Sequence, residues 1–390
     1  MGTITVIMKK IISLAVSLLL IAGLTGCGEE ADSTEQGRKS GRAALPDVIK
    51  IAVAGPMTDS KSQYGKSFYY GAQLKADELN KKGGVLGKEI EILVYDDRDT
   101  VAGAEEVAGQ IAEESGVAGV LGHMSPEASM TAAEIYNAKG VVNICPAAST
   151  DYFTSAGEYI FAGGGTIAQE ADAVLDIAVG DMGKLNIGLI SVNSDWGTSA
   201  VLAVKKAAEE RFEEVSITAL EQVDEGAADY SAAISNLKAA GADVIVAAGD
   251  GDMLLPLAEQ CSQAAADLDI VAFPIAYSRA MVEENGQALN RVRFPLAYFK
   301  GENDKDVFAE SFKTDYGMEP GAIAAQAYDS AGMLVKAIES ARSIEGSAVM
   351  EKLKGLKFDG VTGESKFDEN RQISKSFTKF KIEDGKLTDY

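Results

Sequence analysis

The feature that most constrains how this chain folds is a regular alternation of short apolar runs with longer amphipathic segments, which begins near Asp47. Apolar runs of about four to eight residues indicate buried strands, whereas apolar residues repeated every three or four positions indicate helices. Strands that alternate with helices in this way predict a parallel sheet with helices on both faces. The predicted strands of this first run are 48–54, 89–95, 117–122 and 141–145, and the predicted helices are 64–82, 102–114 and 127–138.

A second run with the same rhythm begins near Ala168, so the sequence predicts a second doubly wound lobe. Gly163-Gly164-Gly165 is predicted to be a flexible crossover between the lobes. Residues 296–301 are expected to return the chain to the first lobe, which then receives a long helix at 322–341, and the end, 358–387, is expected to form short strands. The expected strands of the second run are 186–192, 215–223, 243–248 and 270–273, and the expected helices are 168–181, 197–212, 230–240 and 253–265.

The predicted domain boundaries follow from these two runs and from a polar stretch before them. Residues 28–46 contain few large apolar side chains, too few to offset the entropy lost on ordering, and we predict a flexible tether there. The remainder is long enough for two domains. The predicted N-terminal lobe comprises residues 47–166 and 299–358, and the predicted C-terminal lobe comprises residues 167–298 and 359–390.

The N-terminal residues have the organisation of a bacterial lipoprotein signal peptide. Lys9-Lys10 form a short positive region, 11–22 is apolar, and Leu24-Thr25-Gly26-Cys27 resembles a lipobox. The apolar stretch is shorter than the roughly 20 residues that a transmembrane helix needs. We therefore predict that residues 1–26 are removed and that Cys27 carries a lipid. An ordinary N-terminal core helix is the alternative, and Met8 is a second candidate for the start of translation.

Composition excludes several classes of function. The formal charge is −23, and it becomes −25 without Lys9-Lys10, so the chain would repel phosphate backbones and a nucleic-acid partner is not expected. His123 is the single histidine, which argues against a histidine-based catalytic triad or zinc site. Cys145 and Cys261 lie outside any CxxC motif and are expected to be buried thiols, with a disulfide as the alternative.

Polar residues follow the predicted strands of the first lobe at three places. They are 62–65, 122–125 and 146–149, where hydroxyl and backbone N–H groups at helix N-termini favour an anion such as a carboxylate. Ordinary helix capping is the alternative for each of them taken singly. Trp196 lies between a predicted strand and helix of the second lobe, where it either covers an apolar ligand or packs the loop. No phosphate-binding glycine loop is found.

Taken in order, these segments resemble the branched-chain amino-acid (leucine/isoleucine/valine-type) binding proteins of ABC transporters. The resemblance covers most of Asp47 to Asp384, and its landmarks are Ile49 to Thr58, Gln63-Tyr64-Gly65, Gly71-Ala72, Asn80, Gly83-Gly84-Val85, Gly87-Lys88, Tyr95-Asp96-Asp97, Gly122-His123, Ile135-Tyr136 and Pro146 to Ser149. It implies an α/β fold of the periplasmic binding protein type I class, with two Rossmann-like doubly wound lobes joined by three crossovers. It also implies closure of these lobes on an amino acid.

The resemblance assigns roles to four positions. Tyr64 and Ala147 match ligand-contacting positions, and Ser149 matches the residue that holds the ligand carboxylate. Trp196 takes the place of an aromatic residue that lines the pocket from the second lobe.

Two positions depart from the family pattern. Pro126 stands where the family has a serine that binds the carboxylate, so Ser125 would have to replace it. Ile275 stands where the family has an acidic residue for the ligand ammonium group, and Asp250 is the alternative source of that charge. We therefore expect Ser149 and Asp250 to hold the two charged ends of a zwitterion.

The resemblance implies a monomeric, non-enzymatic solute-binding lipoprotein outside the cytoplasmic membrane. Its expected partners are a small ligand (an amino acid or related carboxylate), an ABC permease and the membrane, reached through the lipid anchor. No cofactor or metal is expected. The alternatives are a ligand sensor of the same fold that signals to a membrane receptor, and a lipid-anchored hydrolase. The single histidine and the lack of a Gly-x-Ser-x-Gly motif argue against the hydrolase.

Overall fold

Two sheets, each covered by helices, form the body of the molecule. The structure is a computed structural model, and it describes residues 45–59, 61–147, 150, 152–212, 214–264, 267–298 and 307–390. The predicted signal peptide, Cys27 and almost all of the predicted tether lie outside the described residues. No helix within the described residues is both long enough and apolar enough to span a membrane.

The first sheet has five parallel strands in the order β2-β1-β3-β4-β5. Its interior strand β1 is buried over its last five residues, because helices cover both faces of the sheet. The strands are β1 (Val48–Gly55), β2 (Glu89–Asp96), β3 (Val117–Leu121), β4 (Asn143–Cys145) and β5 (Ile160–Ala162). The helices of this lobe are α1 (Ser62–Lys81), α2 (Val101–Glu113), α3 (Pro126–Lys139), α9 (Val307–Tyr316), α10 (Ala322–Ala341) and α11 (Gly346–Leu353).

The second sheet has seven strands in the order β14-β13-β10-β9-β8-β6-β7, of which β13 and β14 are antiparallel to their neighbours. Its strands are β6 (Asn186–Val192), β7 (Ser216–Val223), β8 (Val244–Ala248), β9 (Asp269–Ala272), β10 (Val292–Leu296), β13 (Thr378–Glu383) and β14 (Lys386–Asp389). Its helices are α4 (Ile167–Leu175), which continues as a π-helical turn (Asp176–Asp181), α5 (Asp195–Arg211), α6 (Ser231–Ala239), α7 (Gly251–Gln263) and α8 (Arg279–Asn285). Strand order and helix placement confirm the predicted α/β fold with two doubly wound lobes.

Local sequence signals explain where several helices begin and end. The side chain of Thr100 caps α2 by accepting a hydrogen bond from the backbone N–H of Gly103 at 3.0 Å. Thr166 caps α4 in the same way through Gln169. Helix α3 ends at Gly140, whose φ of 70° is in the left-handed region that glycine adopts without strain.

The described residues show three passages of the chain between the lobes. The first is 163–166, between β5 and α4, as predicted, and the second follows β10 and leads to α9. The predicted return segment 296–301 begins one residue too early, because Leu296 is still part of β10. Strand β10 pairs with β9 and therefore belongs to the second sheet. The third passage lies near Lys375, whose backbone N–H donates to the Gln169 side chain at 3.2 Å.

The third passage lies later in the chain than the predicted boundary at residue 358. A hairpin of β11 (Lys357–Gly360) and β12 (Gly363–Lys366) follows α11. Phe367 and Ile373, which come after this hairpin, are buried in the core of the first lobe. The chain joins the second sheet only at β13. Apolar side chains that pack on the first lobe therefore hold residues up to about Ile373 there, whereas the sequence analysis placed 359–390 in the second lobe.

Candidate functional site

A cavity lies between the two lobes and is lined by side chains from both. The first lobe contributes Met124, Ala147, Ala322, Ile323 and Gln326, and the second contributes Glu170, Trp196, Pro274, Ile275 and Phe377, with Ala297 at the second passage. Most of these residues are apolar. Such a mainly apolar cleft with a few polar groups is the usual form of a small-molecule site, and its place beyond the strand ends is typical of α/β sheets.

Trp196 is held on the cavity wall by the first turn of α5. The Ser194 side chain caps this helix by accepting from the backbone N–H of Gly197 at 3.1 Å. The indole ring meets Phe273 edge-to-face, with ring centroids 5.5 Å apart and an interplanar angle of 82°. Because Phe273 belongs to the buried core, the Trp196 ring has a rigid support on one side and the cavity on another.

Ala147, two residues after the end of β4, forms part of the wall that the first lobe contributes. It is buried, and its main chain lies against the first passage between the lobes, where a Cβ on Gly164 would meet the Pro146 carbonyl oxygen at 2.5 Å. Glycine is therefore required at position 164 for close approach of two backbone segments. The same strand end both lines the cavity and contacts the connection between the lobes.

Tyr64 and Asp250 contact each other across the cleft. The Tyr64 hydroxyl lies 3.4 Å from an Asp250 carboxylate oxygen. This contact joins α1 of the first lobe to the start of α7 in the second. Burial, together with the nearby Asp250 carboxylate, raises the pKa of Tyr64, so the phenol is neutral and donates this hydrogen bond. The other Asp250 oxygen caps α7 by accepting from the Met253 N–H at 3.2 Å. Neither Tyr64 nor Asp250 lines the cavity.

Ser125 lies at the start of α3, next to the cavity-lining residue Met124. Its backbone N–H donates to an Asp99 carboxylate oxygen at 3.0 Å, and its side chain makes no capping hydrogen bond. The second Asp99 oxygen accepts from Lys61 at 3.1 Å. Ser149 lies outside the described residues, so its role as a carboxylate ligand stays a prediction.

The structure adds two polar residues to the cavity that the sequence analysis missed, Glu170 on α4 and Gln326 on α10. Both are buried, each about 6% exposed. Burial raises the pKa of Glu170 to about 8. A signal for Glu170 was present in the sequence, because it shares one helix face with Ile167 and Val174, and a carboxyl group on a buried apolar stripe is unusual.

The single histidine belongs to a buried network and is not one of the residues that line the cavity. His123 Nδ1 lies 2.5 Å from an Asp97 carboxylate oxygen, and Nε2 lies 3.1 Å from the Tyr136 hydroxyl. Cys145 and Cys261 are free, buried thiols, as predicted, and burial raises the pKa of Cys261 to about 11. Within the described ranges, no group of three or more His, Cys, Asp or Glu side chains could hold a metal ion.

Comparison with known proteins identifies the family that has this arrangement of two lobes around a cleft. Residues 48–386 match the model of the periplasmic binding protein family. The chain belongs to the periplasmic binding protein family. It is 28% identical over 330 residues to the leucine-, isoleucine-, valine-, threonine- and alanine-binding protein of Pseudomonas aeruginosa, covering 84% of this chain and 87% of that protein. It is 26% identical over 333 residues to a Leu/Ile/Val-binding protein homologue of Brucella abortus, covering 84% and 88%.

Solved structures of other periplasmic binding proteins share the fold. A branched-chain amino acid transporter substrate-binding protein from Streptococcus pneumoniae, solved with isoleucine, has a TM-score of 0.76 at 24% identity, covering 88% of this chain and 100% of that chain. A solute-binding protein from Rhodopseudomonas palustris, solved with 3,4-dihydroxybenzoic acid, has a TM-score of 0.79 at 20% identity, covering 88% and 97%. The periplasmic binding protein type I fold is therefore confirmed, and this fold holds ligands of different chemistry.

Proposed function

We propose that this periplasmic binding protein holds an amino acid or a related small carboxylate between its lobes and delivers it to an ABC permease. The observation that carries the proposal is the largely apolar cavity to which both lobes contribute side chains, with Trp196 on one wall and Ala147 on another. The relative in Pseudomonas aeruginosa, named for binding five amino acids with apolar or small side chains, supports this ligand class.

The proposed binding residues fall into two groups. Ala147 and Trp196 line the cavity and would contact the ligand directly, with Ser149 as the proposed partner of the ligand carboxylate. Tyr64 and Asp250 would stabilise the closed arrangement of the lobes through the hydrogen bond between them. Ser125 would contribute to binding of the ligand carboxylate at the start of α3, where the positive end of the helix favours an anion.

Ligand identification is the direct test of this function. The protein is purified, and small molecules released from it on denaturation are identified by mass spectrometry. Calorimetric titration with the twenty common amino acids and with small carboxylic acids then measures affinity. We expect one or a few amino acids to bind and to be recovered chemically unchanged. Failure of every compound to bind, or recovery of an altered compound, would contradict a transport-binding role.

The proposed location is the outer face of the cytoplasmic membrane, through a lipid on Cys27. This part of the proposal rests on the Leu24-Thr25-Gly26-Cys27 sequence after a short apolar run. Replacement Cys27→Ala is expected to move the protein from the detergent phase to the aqueous phase in a partitioning assay. Replacement Ser33→Ala in the predicted tether is the matched control and should leave partitioning unchanged. A wild-type protein that stays in the aqueous phase would refute the anchor.

A further inference from the structure

Two polar side chains face the cavity from opposite lobes without a hydrogen-bond partner. Glu170 comes from α4 and Gln326 from α10, both are at least nine-tenths buried, and neither side chain forms a hydrogen bond within the described residues. Buried carboxyl and amide groups in proteins are nearly always hydrogen-bonded, because an unmade bond leaves the loss of hydration uncompensated. These two groups are therefore free to bind something that enters the cavity.

The position of the Glu170 carboxyl group is set by the packing of α4. Ile167, Ala171 and Val174 on the same helix are buried in the core of the second lobe, so the helix cannot rotate to carry Glu170 into solvent. Glu170 also lies in the first turn of α4, where the positive end of the helix favours a negative charge. Burial raises its pKa to about 8, so ionisation is costly in the empty cavity, and a cationic group beside it would remove much of that cost.

The other residues that line the cavity make a cationic ligand group a better partner for Glu170 than an anionic one. Among the described lining residues there is no lysine, arginine or histidine, and Glu170 is the only one that can carry charge. A ligand carboxylate placed beside Glu170 would meet a second acidic group in a space with little water. A ligand ammonium group would instead gain an ion pair, with the Gln326 amide oxygen as a further acceptor. The Trp196 ring would cover the apolar part of such a ligand.

We infer that Glu170 and Gln326 form the subsite for the ammonium group of the ligand, and that this pair selects amino acids over carboxylic acids that lack the amine. The inference rests on the proposed function and assigns the substrate class within it. It also moves the ammonium contact from Asp250, whose two oxygens are used by Tyr64 and Met253, to a carboxyl group that has no partner.

The test compares amino acids with acids of the same carbon skeleton. The protein, freed of co-purified ligand by dialysis, is titrated with L-leucine, L-isoleucine, L-valine and L-alanine. It is then titrated with 4-methylpentanoate, 3-methylpentanoate, 3-methylbutanoate and propanoate, which lack the amine. We expect the best amino acid to bind at least about 30-fold more tightly than its amine-free counterpart, because a buried ion pair would be lost. Equal binding would overturn the inference and leave the proposed function standing. No binding by any of the eight, nor by the wider panel above, would refute the proposed function itself.

Two substitutions locate the effect. Glu170→Gln keeps the shape of the side chain and should weaken amino-acid binding at least about tenfold while leaving binding of the amine-free acid unchanged or stronger. Gln326→Leu should weaken amino-acid binding less, because it removes a neutral hydrogen bond. Asp172→Asn is the matched control, since Asp172 lies on the same helix and pairs with Arg211 at 2.9 Å outside the cavity.

The control variant should bind like wild type. If Glu170→Gln folds, as judged by circular dichroism, and binds the amino acid as tightly as wild type, the inference is wrong. If that variant does not fold, the wild-type ratio between each amino acid and its amine-free counterpart still decides the question.

Discussion

Two buried carboxyl groups on helices of opposite lobes have contrasting surroundings. The Asp329 oxygens on α10 accept from the backbone N–H groups of Val361 and Thr362, both at 2.9 Å, and from the Thr362 hydroxyl at 2.5 Å. Lys375 lies beside this group and donates to the Thr362 hydroxyl at 2.6 Å. Glu170 has no comparable partner. A buried carboxyl group with a complete set of partners stabilises one arrangement of the chain, whereas a buried carboxyl group without partners is a candidate for binding.

The sites also differ in what they connect. The Asp329 network joins α10 to the hairpin of β11 and β12 and to the third passage between the lobes. Its members therefore lie on the first lobe or on that passage. Glu170 faces an open space shared by both lobes. Loss of the first group should therefore change unfolding, and loss of the second should change ligand binding.

The largest expected effect follows from breaking the Asp329 network. Asp329→Asn leaves Lys375 buried without its counter-charge and places amide hydrogens towards backbone N–H groups. Removal of one partner from a buried charged pair typically costs about 3–5 kcal/mol of unfolding free energy, which urea denaturation measures. Asp359→Asn, at an exposed position on β11, is the matched control and should unfold like wild type. Equal midpoints for both variants would show that the network adds little to stability.

A smaller effect, visible through its pH dependence, is expected for Glu170→Gln in the ligand-free protein. The pKa of Glu170 rises from about 4.5 to about 8 on folding, so the folded state keeps a proton that the unfolded state releases within this range. Relative to the glutamine variant, wild type should therefore lose stability as the pH rises from about 4.5 to about 8. The upper limit is about 1.4 kcal/mol for each unit of pKa difference. Urea unfolding at roughly pH 4.5 and roughly pH 8.5 measures this loss of stability.

A constant stability difference between wild type and Glu170→Gln across these pH values would contradict the raised pKa. Asp172→Asn again serves as the control, because its carboxylate is partly exposed and paired at the surface. Saturating ligand should reduce the pH dependence in wild type, since a bound ammonium group would favour the ionised carboxylate.

The smallest effect is expected from the contact between the lobes. Tyr64→Phe removes a hydroxyl that lies 3.4 Å from Asp250, a long and partly solvated hydrogen bond. We expect a loss of about 0.5–1.5 kcal/mol in ligand-binding free energy, measured by calorimetry, because closure of the lobes would be less favourable. Tyr69→Phe on the same helix is the control, since its ring contacts Tyr70 of the first lobe. Similar losses in both variants would show that the contact between the lobes does not contribute to affinity.

The fold was largely predictable because its central strands are continuous apolar runs that alternate with amphipathic helices. Strand β5 (Ile160–Ala162) escaped prediction because three residues are too few to show a period. Strand β10 (Val292–Leu296) was missed because a proline, here Pro295, argues against a strand in the interior of a sheet. In the structure β10 nevertheless pairs with β9 on one side and with β13 on the other. The lobe boundary at residue 358 was placed too early, because the packing of Phe367 and Ile373 depends on tertiary contacts that no local pattern reports.

The candidate site was predictable where it follows strands and less so where it lies within helices. Ala147 and Trp196 follow β4 and β6 and line the cavity, whereas their contact with a ligand stays a prediction. Glu170 and Gln326 are interior residues of helices, and their approach to one cavity depends on how the two lobes meet. Asp250 illustrates the converse, because an acidic residue after a strand is equally suited to cap a helix, as it does here.

Trp196 gives the protein a built-in optical reporter. It is the single tryptophan in a chain with thirteen tyrosines, and it lies on the wall of the cavity. Light of a wavelength that tryptophan absorbs and tyrosine does not therefore excites this one ring. The fluorescence of the ring depends on the polarity of its surroundings and on collisions with neighbouring groups. Displacement of water by a ligand would change the colour or intensity of that emission. Occupancy of the cavity should thus be readable from the unlabelled protein, without a dye or an introduced cysteine.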